Sequence, residues 1–473
     1  QSNPNNGVYR KITQFINGDR YNSDNLQSLV RLSRRNRNSE KRSKMDESHA
    51  DGDGDSNQVA PALIAVQPSQ HSVAVALGPS LRIFDLQNNS RVSLSDDSTP
   101  PIHSDSIRSL RFSSDGNLLA SGGDDKLVKI WSSISWRTIS VVRSEKRVSA
   151  IAITKDSNFI CFADKFGAVW VADISEPNGK SLEKAPSSLL SHYCSIITSL
   201  EFSPNGKFII SADRDYKIRV TVFPKDPLKG AHEIQSFCLG HTDYVSCLAF
   251  ISTNQNPSNL LLSGSGDSTV RLWDFESGCL LDTFNEYTNP ITSLCTVPNS
   301  PFVAVSLSNT LKGITLLRYN TTPPHLSLIK VTPFHKPIKE YNVFFMFYQV
   351  VSLSEGLIPT GLSAASSGGL LWVVSGVSKL NGGDNLVARL RVINGFNGDE
   401  SEGKMGVVED DEVPGSKELL LELQGSLLID DDWVCEVGKC AKAALSGHFV
   451  KKQYSLENRE LRKKTRNDKK LCY

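Results

Sequence analysis

The chain has 473 residues, enough to bury at least one large core, and its 52 Lys plus Arg against 51 Asp plus Glu give a formal net charge of +1. That balance excludes a nucleic-acid coat or an acidic scaffold held by bulk charge, so a charge-driven partner has to be met by a local patch. No apolar run approaches the roughly 20 residues that span a bilayer, the start lacks an apolar signal core, and nine scattered cysteines suit buried reduced thiols better than a secreted disulfide framework, so a soluble intracellular protein is expected.

Residues 1–58 are poor in apolar groups and rich in Asn, Ser and charge. Arg34-Arg-Asn-Arg37 and Lys41-Arg-Ser-Lys44 precede Asp51-Gly-Asp-Gly-Asp55, so a disordered tail, basic then acidic, is expected. The basic cluster reads equally as a nuclear address or as a solvated tail; the nucleus is the expected location, with the cytoplasm second. Gln1 is not an initiator, and Met45 is a candidate natural start.

From 59 to 429 the chain repeats itself at spacings of about 40 residues. Residues 62–94 read as an early unit with Leu81-Arg-Ile-Phe-Asp-Leu86 as its third strand. Next comes His103-Ser-Asp-Ser-Ile-Arg-Ser-Leu-Arg-Phe112, leading to Ser121-Gly-Gly-Asp-Asp-Lys-Leu-Val-Lys-Ile-Trp131. Residues 148–174 keep the strand rhythm and Trp170 but place Phe166 where the turn Asp belongs, which marks a degenerate unit. Residues 192–223 carry Ser203-Pro-Asn-Gly-Lys-Phe-Ile-Ile-Ser211, with Thr221 where Trp is expected. The second full copy follows: His241-Thr-Asp-Tyr-Val-Ser-Cys-Leu-Ala-Phe250 and Ser263-Gly-Ser-Gly-Asp-Ser-Thr-Val-Arg-Leu-Trp273 align with the first without a gap. Residues 291–319 and 361–393 supply two more, the latter with Leu370-Leu-Trp-Val-Val374 and Leu386-Val-Ala-Arg-Leu-Arg-Val-Ile393.

Each unit reads as strands separated by Gly, Asn or Asp turns, with a more variable outer strand. A His from the loop, an Asp from the tight turn, a Ser from the second strand and a Trp from the third can hydrogen-bond in series and satisfy polar groups that stacked sheets bury. The candidates for this structural relay are His103, Asp125, Ser121 and Trp131 in one unit and His241, Asp267, Ser263 and Trp273 in the other. The two complete signatures resemble the WD-repeat family. The expected fold is therefore all-β, a WD-repeat propeller of about seven four-stranded blades over 59–429 with charged tails, whose ring closure removes exposed sheet edges.

Several segments fit the repeat less well. Tyr341-Asn-Val-Phe-Phe-Met-Phe-Tyr-Gln-Val-Val351 has the densest run of aromatics and interrupts the rhythm. Residues 394–416 form an acidic insertion, with Asp399, Glu400, Glu402, Glu409, Asp410, Asp411 and Glu412, expected as a solvated surface loop. The outer strand of the last blade is expected from Leu419-Leu-Leu-Glu-Leu423 or from the N-terminal side. Residues 430–473 read as a basic C-terminal tail whose run 451–470, with Arg459, Arg462, Lys463, Lys464 and Arg466, is open to RNA contact, a nuclear signal or plain solvation.

Catalytic constellations are not found. Gly179-Lys-Ser181 ends like a phosphate loop, but Ile174 stands where its leading Gly belongs. Gly264-Ser-Gly266 lacks a third Gly, and Cys435 and Cys440 are too far apart for a two-cysteine knuckle with no second pair. No catalytic, cofactor-binding or metal-binding residue is assigned, and a binding platform rather than an enzyme is expected.

Function therefore rests on one irregular blade. Asp213-Arg-Asp-Tyr-Lys-Ile-Arg219 crowds alternating charge into a turn and third strand, and period two places Lys217 and Arg219 on one face, either as a solvated strand face or as a cation pair for a partner. Together with Ile234-Gln-Ser-Phe-Cys-Leu-Gly-His-Thr-Asp-Tyr-Val245, the run Ile210-Ser-Ala-Asp-Arg-Asp-Tyr-Lys-Ile-Arg-Val220 resembles the WD-repeat non-catalytic subunit of the tRNA (guanine-N(7)-)-methyltransferase, in a plant- or fungal-like form. The similarity runs over about 62–393 and resumes at Lys451-Lys-Gln-Tyr-Ser455.

The resemblance implies a heterodimer in which a separate S-adenosylmethionine-dependent subunit methylates a guanosine of the tRNA variable loop. Arg214, Lys217 and Arg219, with Asp213 and Asp215, are then the candidate partner contacts, facing an acidic partner surface. tRNA is expected to be met indirectly or through the basic tail, without a membrane and without a cofactor on this chain. The alternative is a generic WD-repeat scaffold or substrate adaptor, of a ubiquitin ligase or of ribosome assembly.

Overall fold

Apolar residues alternating with period two in runs of about six, cut by tight turns, fold into antiparallel meanders with one strand face for each neighbouring sheet. The computed structural model describes residues 59–449 except 95–101, 176–182, 193–194, 252–259, 299, 309–312, 323–341, 354–356, 366–368, 380–386, 397–404, 416–417 and 422–430. The chain divides into 1–57 and 58–473. The first unit, Met45, the phosphate-loop-like Gly179–Ser181 and the tail from 451 lie outside the described residues.

Seven sheets follow in order, each a blade running from an inner to an outer strand. Blade 1 holds β1 (Leu63–Val66), β2 (Ser72–Leu77), β3 (Ser80–Asp85) and β4 (Ser90–Val92). Blade 2 holds β5 (Ile107–Phe112), β6 (Leu118–Gly123), β7 (Leu127–Ser132) and β8 (Thr138–Arg143). Blade 3 holds β9 (Val148–Ile153), β10 (Phe159–Asp164), β11 (Ala168–Asp173) and, after the short β12 (Glu183–Lys184), β13 (Ser187–Ser191). Blade 4 holds β14 (Ile197–Phe202), β15 (Phe208–Asp213), β16 (Lys217–Val222) and β17 (Ile234–Leu239). Blade 5 holds β18 (Val245–Phe250), β19 (Leu260–Ser265), β20 (Val270–Asp274) and β21 (Cys279–Phe284). Blade 6 holds β22 (Ile291–Thr296), β23 (Phe302–Leu307), β24 (Ile314–Thr322) and β25 (Asn342–Val351), so the aromatic run is the outer strand of an ordinary blade. Blade 7 holds β26 (Gly361–Ala364), β27 (Leu371–Val377), β28 (Val387–Asn394) and β29 (Gly406–Val407).

The core is divided among the interfaces between blades. Seven apolar clusters each draw on two adjacent blades, and the last joins Trp372, Val374 and Leu390 of blade 7 to Val73, Val75 and Phe84 of blade 1. Hydroxyls add a second register around the central channel. Ser246 Oγ donates to Ile291 O (2.7 Å), Ser306 Oγ to Pro359 O (3.0 Å) and Thr360 Oγ1 to Ala62 O (2.9 Å), each from one blade to the next. Thr198 Oγ1 makes the same bond to Val245 O. Across the channel Arg111 of blade 2 is ion-paired with Glu201 of blade 4.

Edges are covered in three ways. β12 leaves blade 3 to pair in parallel with β8, giving blade 2 a fifth strand. The 3-10 turn Pro227–Lys229 of blade 4 leads into Ala231, whose N–H bonds to Leu189 O on the edge strand β13 of blade 3. Blade 4's own edge meets the β20–β21 turn, where Ser236 Oγ donates to Phe275 O and Gln235 Nε2 to Glu276 O.

Among the described residues no strand of blade 1 joins the blade 7 sheet, and the ring closes through an antiparallel bridge of Pro61 to Val377. Ala62 N bonds to Gly376 O (2.9 Å), Ser378 N to Ala60 O (2.8 Å) and Ala60 N to Ser378 Oγ (2.8 Å). Among the described residues the outer strand of blade 7 is β29, inside the acidic insertion, and not either expected source. Met405, Val408 and Val413 are buried there while Glu409, Asp410, Asp411 and Glu412 stay in solvent, which is why a segment read as a solvated loop can still hold a strand. Residues 418–421 are instead a helical turn that buries Leu419 and Leu420 between blades 7 and 1.

The segment from 430, expected to open a basic tail, begins with helix α1 (Asp431–Phe449). Val437, Cys440, Ala441, Ala444 and Leu445, at helical spacing, pack on Leu357, Ile358 and Val377 beside the closing seam. Among the described residues no helix is long and apolar enough to cross a membrane. The seven described cysteines carry free thiols, of which Cys161, Cys238 and Cys440 are buried and Cys435 is exposed.

Candidate functional site

The hydrogen-bonded series stands in blades 2 and 5. His103 Nδ1 lies 2.7 Å from Asp125 Oδ2 and its Nε2 lies 2.8 Å from Ser121 Oγ, which accepts from Trp131 Nε1 at 3.1 Å. In blade 5 the matching distances are 2.9, 2.7 and 2.8 Å for His241–Asp267, His241–Ser263 and Trp273–Ser263. Because an indole nitrogen only donates, Trp Nε1 gives its hydrogen to Ser Oγ, which leaves the Ser hydroxyl free to donate to His Nε2 and His Nδ1 to donate to Asp. Burial lowers the pKa of His241 and outweighs the pull of Asp267. For Asp267 burial acts upward, but hydrogen bonds from His241 and Thr269 outweigh it and hold the carboxyl well below the usual carboxylate range.

Blade 4 contains a third series that its sequence hid. His192 Nδ1 lies 2.9 Å from Asp213 Oδ2 and its Nε2 lies 2.8 Å from Ser211 Oγ. Strand register puts Thr221 opposite Ile209 where Trp131 stands opposite Leu119, so the series ends without an indole. Asp213 sits two residues earlier than Asp125 in its turn, which is why the motif spacing missed it. Its carboxylate is 1% exposed and also accepts from Lys217 N at 3.0 Å. Asp213 is therefore withdrawn from the partner contacts; it is an internal acceptor.

Blade 3 departs further. Register places Phe162, Phe166 and Ala172 at the positions of Ser121, Asp125 and Trp131, and Ser144 at that of His103. Trp170 is two residues early for the signature, and its Nε1 donates to Asp164 Oδ2 at 2.9 Å instead.

The remaining candidates lie on the outer half of blade 4. Lys217 pairs with Leu239, Arg219 with Phe237 and Thr221 with Ile234, and directly opposed residues share a face. The other face, with Ile218, Val220 and Cys238, is sealed against blade 5. The cations therefore turn toward blade 3, where Arg219 Nη1 donates to Ser191 O at 3.3 Å. Beside them Leu239, Phe237 and Ile234 are 59%, 43% and 43% exposed. Two cations and three apolar side chains thus form one mixed surface, of the kind that anchors a protein partner at its centre and steers it by charge.

The three cations are not equivalent. Arg219 shares its register position with Lys129 of blade 2 and Arg271 of blade 5, and those two serve internal contacts, Lys129 over the Trp131 ring at 5.9 Å and Arg271 toward Asp267 at 3.8 Å. Lys217 stands where Leu127 and Thr269 occur, so it is the charge that distinguishes this blade. Arg214 and Asp215 lie on the turn, their amides bound to Ile196 O and Ser195 Oγ at 2.9 and 3.1 Å, with Tyr216 half-exposed beside them in the left-handed region at φ 59. Sequence reasoning overlooked β17: its Ile-Gln-Ser-Phe-Cys-Leu pattern reads as a buried strand, and the available signal was its place as the outermost strand of the blade. Among the described residues no group of His, Cys, Asp and Glu converges as a metal site requires.

Comparison with known proteins places this blade in context. The family model described as the tRNA methyltransferase TRM82 WD40 domain matches residues 180–308, and a WD domain G-beta repeat model matches 97–132. The tRNA (guanine-N(7)-)-methyltransferase non-catalytic subunit wdr4 of Dictyostelium discoideum is 31% identical over 248 residues, 49% of this chain and 50% of that protein. The subunit of the same description from Homo sapiens is 32% identical over 46% of this chain and 52% of its own length, and that of Xenopus laevis 40% over 37% and 41%. The chain thus spans about half the length of the curated relatives it matches. The resemblance carried by the Asp-Arg-Asp blade is borne out by these matches. Among solved structures, a chain of the mitotic checkpoint complex (TM-score 0.52, 16% identical, covering 66% of this chain and 85% of that one) and U3-55K (0.51, 19%, 67% and 88%) share the propeller fold.

Proposed function

We propose that this chain is the non-catalytic subunit of a tRNA (guanine-N(7)-)-methyltransferase, holding a separate catalytic subunit on the blade 4 face that turns toward blade 3. The observation that carries the proposal is the pairing of Lys217 and Arg219 with the exposed Leu239 and Phe237 inside the segment matched by the methyltransferase-associated WD domain.

In this reading the chain supplies no reacting group. The methyl group passes from S-adenosylmethionine to N7 of a tRNA guanosine within the partner, and the propeller acts on the cost of ordering. A surface already fixed by seven inter-blade cores gives the partner's active-site and RNA-contacting loops a rigid template, so less conformational freedom remains to be lost when tRNA arrives. Lys217 and Arg219 favour an acidic partner patch, and Phe237 and Leu239 supply the apolar centre. The basic segment 451–470 would add a contact to tRNA phosphates, and the working location would be the nucleus, with the cytoplasm second.

Reconstitution tests this. The purified catalytic subunit, assayed for methyl transfer to tRNA with and without this chain, should be faster or longer-lived in its presence, and S-adenosylmethionine should not bind the chain alone. Equal activity in both arms, or capture from cells of a cullin adaptor set without a methyltransferase, would remove the proposal.

A further inference from the structure

The geometry points to a nucleotide-stacking site on the rim of blade 3, built from Phe166 between Lys146 and Lys165, that takes an unstacked base of an RNA loop. The position arises because this blade has lost its polar series. Where Asp125 and Asp267 turn inward to a histidine, blade 3 has Ser144 in place of the histidine and nothing for an aspartate to hold. The side chain at that turn is released outward, and it is a phenylalanine, 55% exposed. A tight turn is normally occupied by small polar residues, and a phenyl ring left half in water contributes less to the fold than a buried one.

The surroundings select the ligand. Lys146 Nζ lies 5.1 Å and Lys165 Nζ 5.7 Å from the ring centroid. Lys165 N bonds to Arg147 O at 3.0 Å, which fixes the two lysine-bearing segments against each other. Asp164 Oδ1 accepts from Phe166 N (2.8 Å) and Ala168 N (3.1 Å), and a Cβ on Gly167 (φ 87) would meet Ser195 O at 2.2 Å, so the ring is presented by a clamped turn. On the matching turns of the neighbouring blades stand Lys126 and Arg214. Of the acids on this rim, Asp124 is paired with Arg108 at 2.7 Å, and Asp125, Asp164 and Asp213 accept internal hydrogen bonds, with Glu145 and Asp215 beside them. Both ammonium groups lie over the ring, and on long flexible stems they can swing aside to pair with phosphates while a base takes their place against the ring. An acidic peptide would use the lysines and leave the ring idle.

This inference deepens the tRNA reading and rests on it for the identity of the RNA. The test uses the full chain, alone and with the catalytic partner, titrated against a fluorescently labelled tRNA transcript over a range of salt. Phe166→Ala should weaken binding at least roughly fivefold, while Phe166→Trp should stay within roughly twofold of the original chain. The double variant Lys146→Gln, Lys165→Gln should reduce the slope of log affinity against log salt by roughly one to two. All three should melt as the original does and capture the catalytic partner equally, so a failure here is separable from a failure of the proposed complex. Unchanged tRNA affinity in Phe166→Ala overturns the site. So does absence of tRNA binding with and without partner, or a polyglutamate peptide that displaces tRNA and binds Phe166→Ala as well as the original chain.

Discussion

Residue by residue, the three histidine series pair polar groups that burial would otherwise leave unsatisfied. Ser263 serves two partners at once, Trp273 Nε1 and His241 Nε2. Ser263→Ala should cost about 1–3 kcal/mol by leaving both without it, measured by denaturant unfolding. The same series has a pH signature. Because burial lowers His241 below its ordinary value of 6.5, its contribution is complete above that value and is lost as pH falls from there through the lower folded-state value. Asp267, also lowered, holds its contribution until more acid conditions. The melting temperature should therefore be flat near pH 7–8 and decline toward about pH 5, and His241→Gln should flatten the decline; a decline that persists unchanged in that variant would contradict the assignment. The residues of blades 2 and 5 were legible because two gap-free copies put the four groups at fixed spacing. His192 and Asp213 were not, since the carboxylate reaches the imidazole from a position two residues earlier and the indole is replaced by Thr221.

At the level of the element, period two was readable in almost every strand, and the blade count followed from it. What alternation does not carry is which strand ends up outermost. β17 has the composition of a core strand, yet its place at the edge of blade 4 leaves Phe237 and Leu239 half in water. β29 is two residues long, too short to register as a pattern between acidic residues, and Trp170 looked like a signature indole because spacing was counted without the register that places it opposite Phe162. The inter-blade hydroxyls were invisible for a related reason: Ser246, Ser306 and Thr360 are ordinary strand residues until the next blade brings a carbonyl to them. Ser246→Ala should lower stability by about 1 kcal/mol, and hydrogen exchange should quicken in β18 and β22 before it does in blade 1.

For the whole molecule, the seam between blades 7 and 1 is held by its shared apolar cluster, a few backbone bonds and α1. Every other interface joins blades that are also joined by a short connection of the chain, whereas this one brings Ala60 to Ser378. Truncation before α1, or Ala441→Asp within it, exposes Leu357, Ile358 and Val377. It should lower the melting temperature by roughly 2–4 °C per kcal/mol lost and raise proteolysis at 59–62 first; an unchanged melt would mean that the seam closes without the helix. The central claim concerns the face that this closed ring presents. Titration of the purified catalytic subunit into the charge-reversed variant Lys217→Glu and into Leu239→Asp tests it most directly, since Leu239 is 59% exposed and Lys217, partly exposed, stands opposite it in the strand register. The account predicts at least roughly tenfold weaker association for each, with the melting temperature held; the original affinity in both variants would contradict it.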